Sequence, residues 1–189
     1  MERCRIVFSG SGGQGVITAA IILAEAAVLF EDLIAVQSQV YGPEARGGAT
    51  RSDVIISETE IFFPKVFQPN VLVCLTQQAY NKYSTIVRPG GLLITDSRHV
   101  KAGRKVDSRQ VELPLSEAVV EKIGKPIVLN ICMLGAVIAL TKLVQPDSIM
   151  KVLEKRIPGS FLEMNRKALD LGMQLASEDR PQNVCSLDP

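Results

Sequence analysis

The sequence has no pair of neighbouring cysteines, a single histidine, no excess of either charge and no apolar run long enough to cross a membrane. Each absence removes a class of function. The cysteines are Cys4, Cys74, Cys132 and Cys185; iron–sulfur clusters need closely spaced thiolates, so nothing here signals one. His99 lacks a second histidine for a zinc site and reads as a surface-loop residue after Asp96-Ser97-Arg98. Lysine and arginine total 21 against 20 acids, and they are scattered. That balance gives no electrostatic footprint for nucleic acid or a membrane surface. The longest apolar stretch, 127–140, is broken by Asn130 and Gly135 and is too short for a membrane span. Residues 1–8 read as a charged start and a short strand, not as a signal peptide. There is no G-x-S-x-G elbow and no Cys–His pairing. Cys4, Cys74 and Cys132 lie in apolar segments as small core residues, Cys185 in a polar tail. A reduced, cytoplasmic setting fits that usage.

What is present is material for one core. The chain has 189 residues, of which 47% are apolar, enough for a single domain without staples. One α/β domain is expected over 1–177, followed by a polar, frayed tail at 178–189. Strands are predicted at 6–8, 33–40, 49–57, 71–75, 92–95 and 111–113. Helices are predicted at 14–30, 77–87, 115–123, 131–143, 146–157 and 161–176. The first helix is apolar around most of its circumference, which predicts deep burial. Ser160 and Glu163 have capping-box spacing before the last helix. Strands and helices alternate in the first half. This predicts a three-layer α/β/α fold around a mostly parallel, Rossmann-like sheet, with antiparallel strands allowed at its edges.

Two loops stand out. Ser9-Gly10-Ser11-Gly12-Gly13-Gln14-Gly15 follows a strand and opens a helix, and Gly10, Gly12 and Gly15 fit G-x-G-x-x-G. Small residues let backbone approach a ligand, and free N–H groups at a helix start favour an anion. Gly10, Ser11, Gly12, Gly13, Gln14 and Gly15 are therefore the candidate anion-binding residues. A tight turn with close helix–sheet packing and no ligand would use the same residues. The second predicted strand carries Gln37 and Gln39, where a dinucleotide site would need an acid for the ribose; Glu31 and Asp32 precede it, at the wrong end. No lysine follows the loop as in a P-loop.

The second loop is Tyr41-Gly42-Pro43-Glu44-Ala45-Arg46-Gly47-Gly48. It follows a strand, so it should project from the same carboxyl edge as the glycine loop. Arg46 offers a planar fork for a carboxylate or phosphate. Glu44 suits a partner's cation or an internal pair with Arg46, and both alternatives stand. Gly47 and Gly48 permit close backbone contact. Gln39, Tyr41, Gly42, Pro43, Glu44, Arg46, Gly47 and Gly48 are the candidate partner-facing or gating residues.

Together, GSGGQGV at 10–16, YGPEARGG at 41–48 and the following run Thr50–Ser57 resemble the gamma subunits of 2-oxoacid:ferredoxin oxidoreductases, the domain III family of pyruvate:ferredoxin oxidoreductase. The likeness covers roughly 3–175, and the second motif is closer to the 2-oxoglutarate branch. The resemblance implies a complex that oxidatively decarboxylates a 2-oxoacid, passes the acyl group to coenzyme A and reduces ferredoxin. It implies thiamine diphosphate with Mg, and 4Fe-4S clusters, held by alpha, beta and ferredoxin-like delta subunits. This chain would support coenzyme A binding or active-site closure, with no catalytic residue of its own. A homodimer is open to the isolated chain. Two rival readings are a nicotinamide-dependent dehydrogenase and a non-catalytic nucleotide-binding module.

Overall fold

A computed structural model of the chain describes residues 3–40, 48–103, 106–179 and 185. Strand β1 (Cys4–Gly10) lies inside a six-stranded sheet and is buried from Ile6 onward. The chain leaves it through helix α1 (Val16–Phe30) to β2 (Ile34–Val40). Strand β3 (Thr50–Ser57) then returns antiparallel between β2 and β1. Strands β4 (Val71–Cys74), β5 (Gly91–Asp96) and β6 (Ser108–Leu113) add in parallel on the other side, in the order β2-β3-β1-β4-β5-β6. The antiparallel pairing is confined to the β2–β3 side, as the sequence allowed. β4 is four apolar residues, all buried, the composition of a strand covered on both faces. The sheet grows in opposite directions from β1, so the β1–β4 junction is its topological switch point, where open α/β sheets form a crevice at the strands' carboxyl ends.

The two faces are covered unequally. Helices α1, α3 (Leu115–Lys122), α4 (Leu129–Thr141), α5 (Pro146–Arg156) and α6 (Leu162–Leu175) build the larger core. The smaller core holds α2 (Gln77–Tyr83), Val66 and Val100. All thirteen residues of α4 are buried. Deep burial therefore falls to α4 and not to α1, whose Val28 and Leu29 are 48% and 53% exposed. The reason is layering: α1 packs on β2 and β3 with one face, while α4 lies among α1, α3 and α6. The helices α4 and α6 touch backbone to backbone at Gly135 and Gly172.

Smaller departures have local causes. β6 starts three residues earlier than its apolar core, because Ser108, Arg109 and Gln110 already stand in register with Gly91, Leu92 and Leu93 of β5. Ser160 lies in a 3-10 turn (Gly159–Phe161) and Phe161 takes the N-cap position of α6 without a side-chain cap, so the expected capping box is not formed. The Asn165 side chain instead donates to the Phe161 carbonyl at 2.8 Å.

Cys4 and Cys185 form a disulfide with Cα atoms 4.8 Å apart, and Cys185 is buried against the start of β1. This corrects the reading of Cys4 as a free core thiol and of residue 185 as part of a frayed tail. Cys74 and Cys132 are the buried free cysteines. Burial pushes both thiols up to about 12, with Ser9 partly opposing it at Cys74 and the nearby Asp96 charge adding to it at Cys132. The non-reduced native chain should therefore give no fast reaction at pH 8 with a thiol reagent. Denaturant should expose two thiols, and reduction before denaturation four. Rapid native labelling of Cys74 or Cys132, located by mass spectrometry, would contradict this.

Candidate functional site

The register fixes where the two loops stand. Gly10 at the end of β1 pairs with Thr50, and Val40 at the end of β2 pairs with Arg51. Val40 and Thr50 thus stand at the same carboxyl edge as the glycine loop, with Thr50 directly beside its first residue. Residues 41–47 lie outside the described part of the chain, and with them Tyr41, Gly42, Pro43, Glu44, Arg46 and Gly47. Gln39 lies opposite Ser52 on the edge pair, and Gly48 is half-buried at the start of the return.

The glycine loop is an exposed turn above a buried floor. Ser9 is buried and donates to the Val73 carbonyl at 2.6 Å, which locks the end of β1 to β4. Ser11, Gly12 and Gly13 are exposed. Gln14 folds back so that its Oε1 accepts from the Ser11 N–H at 2.7 Å. Gln14 therefore occupies one of the donors the sequence reading offered to an anion, and it acts as a brace for the turn. A Cβ on Gly10 would sit 2.5 Å from that same oxygen. Gly13 and Gly15 have φ of +88° and +70°, which L side chains rarely adopt. Gly15 is the N-cap of α1, and the first turn of that helix carries no acid. Its leading N–H groups have no acceptor within the helix and face outward as a positive pole.

Beneath Gly15 lies Asn130, in the first turn of α4; a Cβ on Gly15 would stand 2.9 Å from the Asn130 Cβ. From there a pocket of about 470 Å³ opens, lined by Gly13, Gln14, Arg98, His99, Ser116 and Ile127 among others. Arg98 and His99 reach it from the turn after β5. That turn is held by Asp96, whose backbone carbonyl accepts from the N–H groups of His99 and Val100 at 3.0 and 2.9 Å. The Asp96 carboxylate is fully buried, accepts weakly from the Arg98 and Ser116 N–H groups at 3.4 and 3.5 Å, and leaves Oδ2 without a protein partner. The pocket so combines backbone donors and a cation on one wall with apolar Val119, Val120, Pro126 and Ile127 on another. That combination suits a ligand with an anionic end and an apolar or neutral body.

Sequence reasoning missed Arg98, Ser116 and Asn130, and it took His99 for an ordinary loop residue. The available signal was position: residues just past β5 belong to the same carboxyl rim as the glycine loop. Arg51 was read only as part of a strand. Its guanidinium holds Asp53 through a two-pronged ion pair at 2.6 and 2.8 Å, donates to the Val66 carbonyl, and lies over the Tyr83 ring. It fastens the root of β3 to the α2 face. Gln37 donates to Ser52 at 2.8 Å, and the described end of β2 offers no carboxylate for a ribose. Among the described residues no group of three or more His, Cys, Asp or Glu side chains is placed to hold a metal ion, and no helix is long and apolar enough to cross a membrane.

The profile of the pyruvate ferredoxin/flavodoxin oxidoreductase family matches residues 5–175. The chain belongs to that family. Among similar members is the 2-oxoglutarate synthase subunit KorC of Methanocaldococcus jannaschii, 44% identical over 93% of this chain and 95% of that protein. The gamma subunit of a keto/oxoacid ferredoxin oxidoreductase from Geobacter sulfurreducens, a solved structure, is 41% identical. It covers 93% of this chain and 99% of its own, with a TM-score of 0.84. The 2-oxoglutarate:ferredoxin oxidoreductase of Magnetococcus marinus also superposes with a TM-score of 0.84, at 19% identity, on 34% of that longer chain. At that identity the likeness is one of fold. These family members span nearly the whole chain, and the three-layer α/β/α architecture is the fold they share.

Proposed function

We propose that this chain is the gamma subunit of a 2-oxoglutarate:ferredoxin oxidoreductase, and that its glycine loop receives an anionic part of coenzyme A. The complex would decarboxylate 2-oxoglutarate oxidatively, join the acyl group to the coenzyme A thiol and pass the electrons to ferredoxin. The observation that carries the reading is the 44% identity, over nearly the full length of both chains, to a protein named as a 2-oxoglutarate synthase subunit. Supporting it, Gly13 and Gln14, just ahead of the α1 N-terminus, line a pocket with Arg98 on its wall. Phosphates are recognised by such backbone donors with a nearby guanidinium.

In this reading the hard chemistry belongs to cofactors carried elsewhere. Alpha and beta subunits would hold thiamine diphosphate with Mg, and beta and a ferredoxin-like delta subunit would hold the 4Fe-4S clusters. This subunit positions and encloses. Gly10, Ser11, Gly12, Gly13, Gln14 and Gly15 form the anion-facing turn, with Gln14 as its brace. Gln39, Gly48 and the segment from Tyr41 to Gly47, with Glu44 and Arg46, face a partner or gate the site. The working unit is the domain 1–177, with 178–189 as a terminal segment. A cytoplasmic home fits the family, and there the Cys4–Cys185 bond would be open to reduction. The exposed Val28, Leu29 and Ile34 supply the surface for a homodimer of the isolated chain.

Gentle affinity purification of the tagged chain from its native cell tests the assignment. Thiamine diphosphate-binding and ferredoxin-like subunits should co-purify in fixed ratio. A chain that elutes alone, or with unrelated partners, would overturn it.

A further inference from the structure

At the opposite end of the sheet, a second pocket of about 440 Å³ lies beside the amino ends of the parallel strands. One strand length, about 20 Å, separates it from the glycine loop. Its walls are Arg3, Arg5, Lys65 and Arg88 together with Phe63, Phe67 and Gln68. In a chain of net charge +1, four cations and no acid among the seven described lining residues is a local concentration of one sign. Glu58 and Glu60, just before the aromatic segment, are exposed and do not line it; Arg3 reaches Glu60 through the backbone carbonyl, at 2.8 Å.

The aromatic residues are as unusual as the charges. The chain has six phenylalanines, and three of them are exposed on this one segment: Phe62 at 79%, Phe63 at 54% and Phe67 at 69%. The rings of Phe63 and Phe67 stack with centroids 6.0 Å apart. Between them Val66 is buried and its carbonyl accepts from Arg51, so the segment is anchored while its rings face out. Asn70 and Arg5 exchange backbone and side-chain hydrogen bonds at 2.8 and 3.0 Å, which pins the other end of the segment to β1. A rigid display of large apolar rings framed by guanidinium groups is costly to leave in water. Phenylalanine and arginine are also the residue types enriched at the centres of protein interfaces.

We infer that this amino-edge face is a docking site for an acidic surface of another subunit of the same complex. The rings would supply the apolar centre and Arg3, Arg5, Lys65 and Arg88 the charged rim that steers and orients the partner. The inference rests on the chain's being a subunit, but it concerns a face on the far side from the glycine loop. It would leave the carboxyl edge free to meet coenzyme A and the catalytic subunits' active site.

The test uses co-expressed subunits and two exposed-residue variants, Phe63→Ala/Phe67→Ala and Lys65→Glu. Unchanged circular dichroism and melting temperature establish that each variant folds. The expected result is a dissociation constant from the partner subunits raised at least about tenfold by the double variant, as for truncated interface anchors. Lys65→Glu should weaken association and flatten its dependence on ionic strength. Association unchanged within twofold for both variants would overturn the proposal. So would loss of only the homodimer in light scattering, or a role confined to binding nucleic acid or free phosphate. If the chain fails to co-purify with oxidoreductase subunits at all, the subunit assignment falls instead, a result separate from these.

Discussion

Replacing Gly172 by alanine is expected to cost about 3 kcal/mol of stability, the upper end for inserting a methyl into a close-packed core. A Cβ at Gly172 would lie 1.8 Å from the Cys132 carbonyl oxygen and 2.8 Å from its carbon. The obstacle is backbone, not a side-chain tip that can rotate aside. Its counterpart Gly135 would place a Cβ 2.2 Å from the Leu169 carbonyl oxygen, so alanine there should behave alike. Each substitution forces α4 and α6 apart, and α4 has no free face along which to retreat. Urea unfolding followed by circular dichroism gives the number. A loss below about 1 kcal/mol for Gly172→Ala would mean that the helices are not in backbone contact. The effect reaches the site as well, because Leu129 and Asn130 at the start of α4 line or underlie the glycine-loop pocket.

The second large effect is expected at Gly15. Alanine there must adopt φ near +70° and press on Asn130 at 2.8–2.9 Å. The backbone conformation alone costs an L residue roughly 1–2 kcal/mol, and the contact adds to it. The variant should melt several degrees lower, and its affinity for coenzyme A should fall at least about tenfold as the turn and the helix start shift. Gly12 supplies the contrast. Nothing lies within 4 Å of its hypothetical Cβ and its φ is not positive. Gly12→Ala should leave the melting temperature within a degree or so, while weakening coenzyme A binding because the new methyl stands where the ligand approaches. Calorimetric titration of both variants separates the two roles. If Gly12→Ala and Gly15→Ala bind coenzyme A as the parent does, the loop is a packing turn and not an anion site.

The fold was largely legible because its signals are local. The buried run Val71–Cys74 and the step from Phe8 into Gly10–Gly15 carry a continuous apolar and a glycine-rich mark that tertiary context did not override. Of the candidate site, the loop was legible and the pocket beside it was not. Gly10, Gly12, Gly13 and Gly15 announce themselves in one stretch. Arg98, Ser116 and Asn130 come from three separate elements and become neighbours through β5, α3 and α4. No spacing rule encodes that convergence. The sequence also could not rank the burial of α1 and α4, since both are strongly apolar. The difference arises from which helix α6 covers. Nor could spacing pair Cys4 with Cys185, 181 residues apart, because closure of so long a loop depends on where the end of the chain returns.

Reconstitution tests the central claim most directly: that this chain is a working subunit whose carboxyl-edge turn serves coenzyme A. The partner subunits are assayed for 2-oxoglutarate- and coenzyme A-dependent ferredoxin reduction, with and without it. Activity that requires the chain, and drops with Gly12→Ala through a raised KM for coenzyme A, is the result expected. Equal turnover and equal KM in its absence would contradict the account.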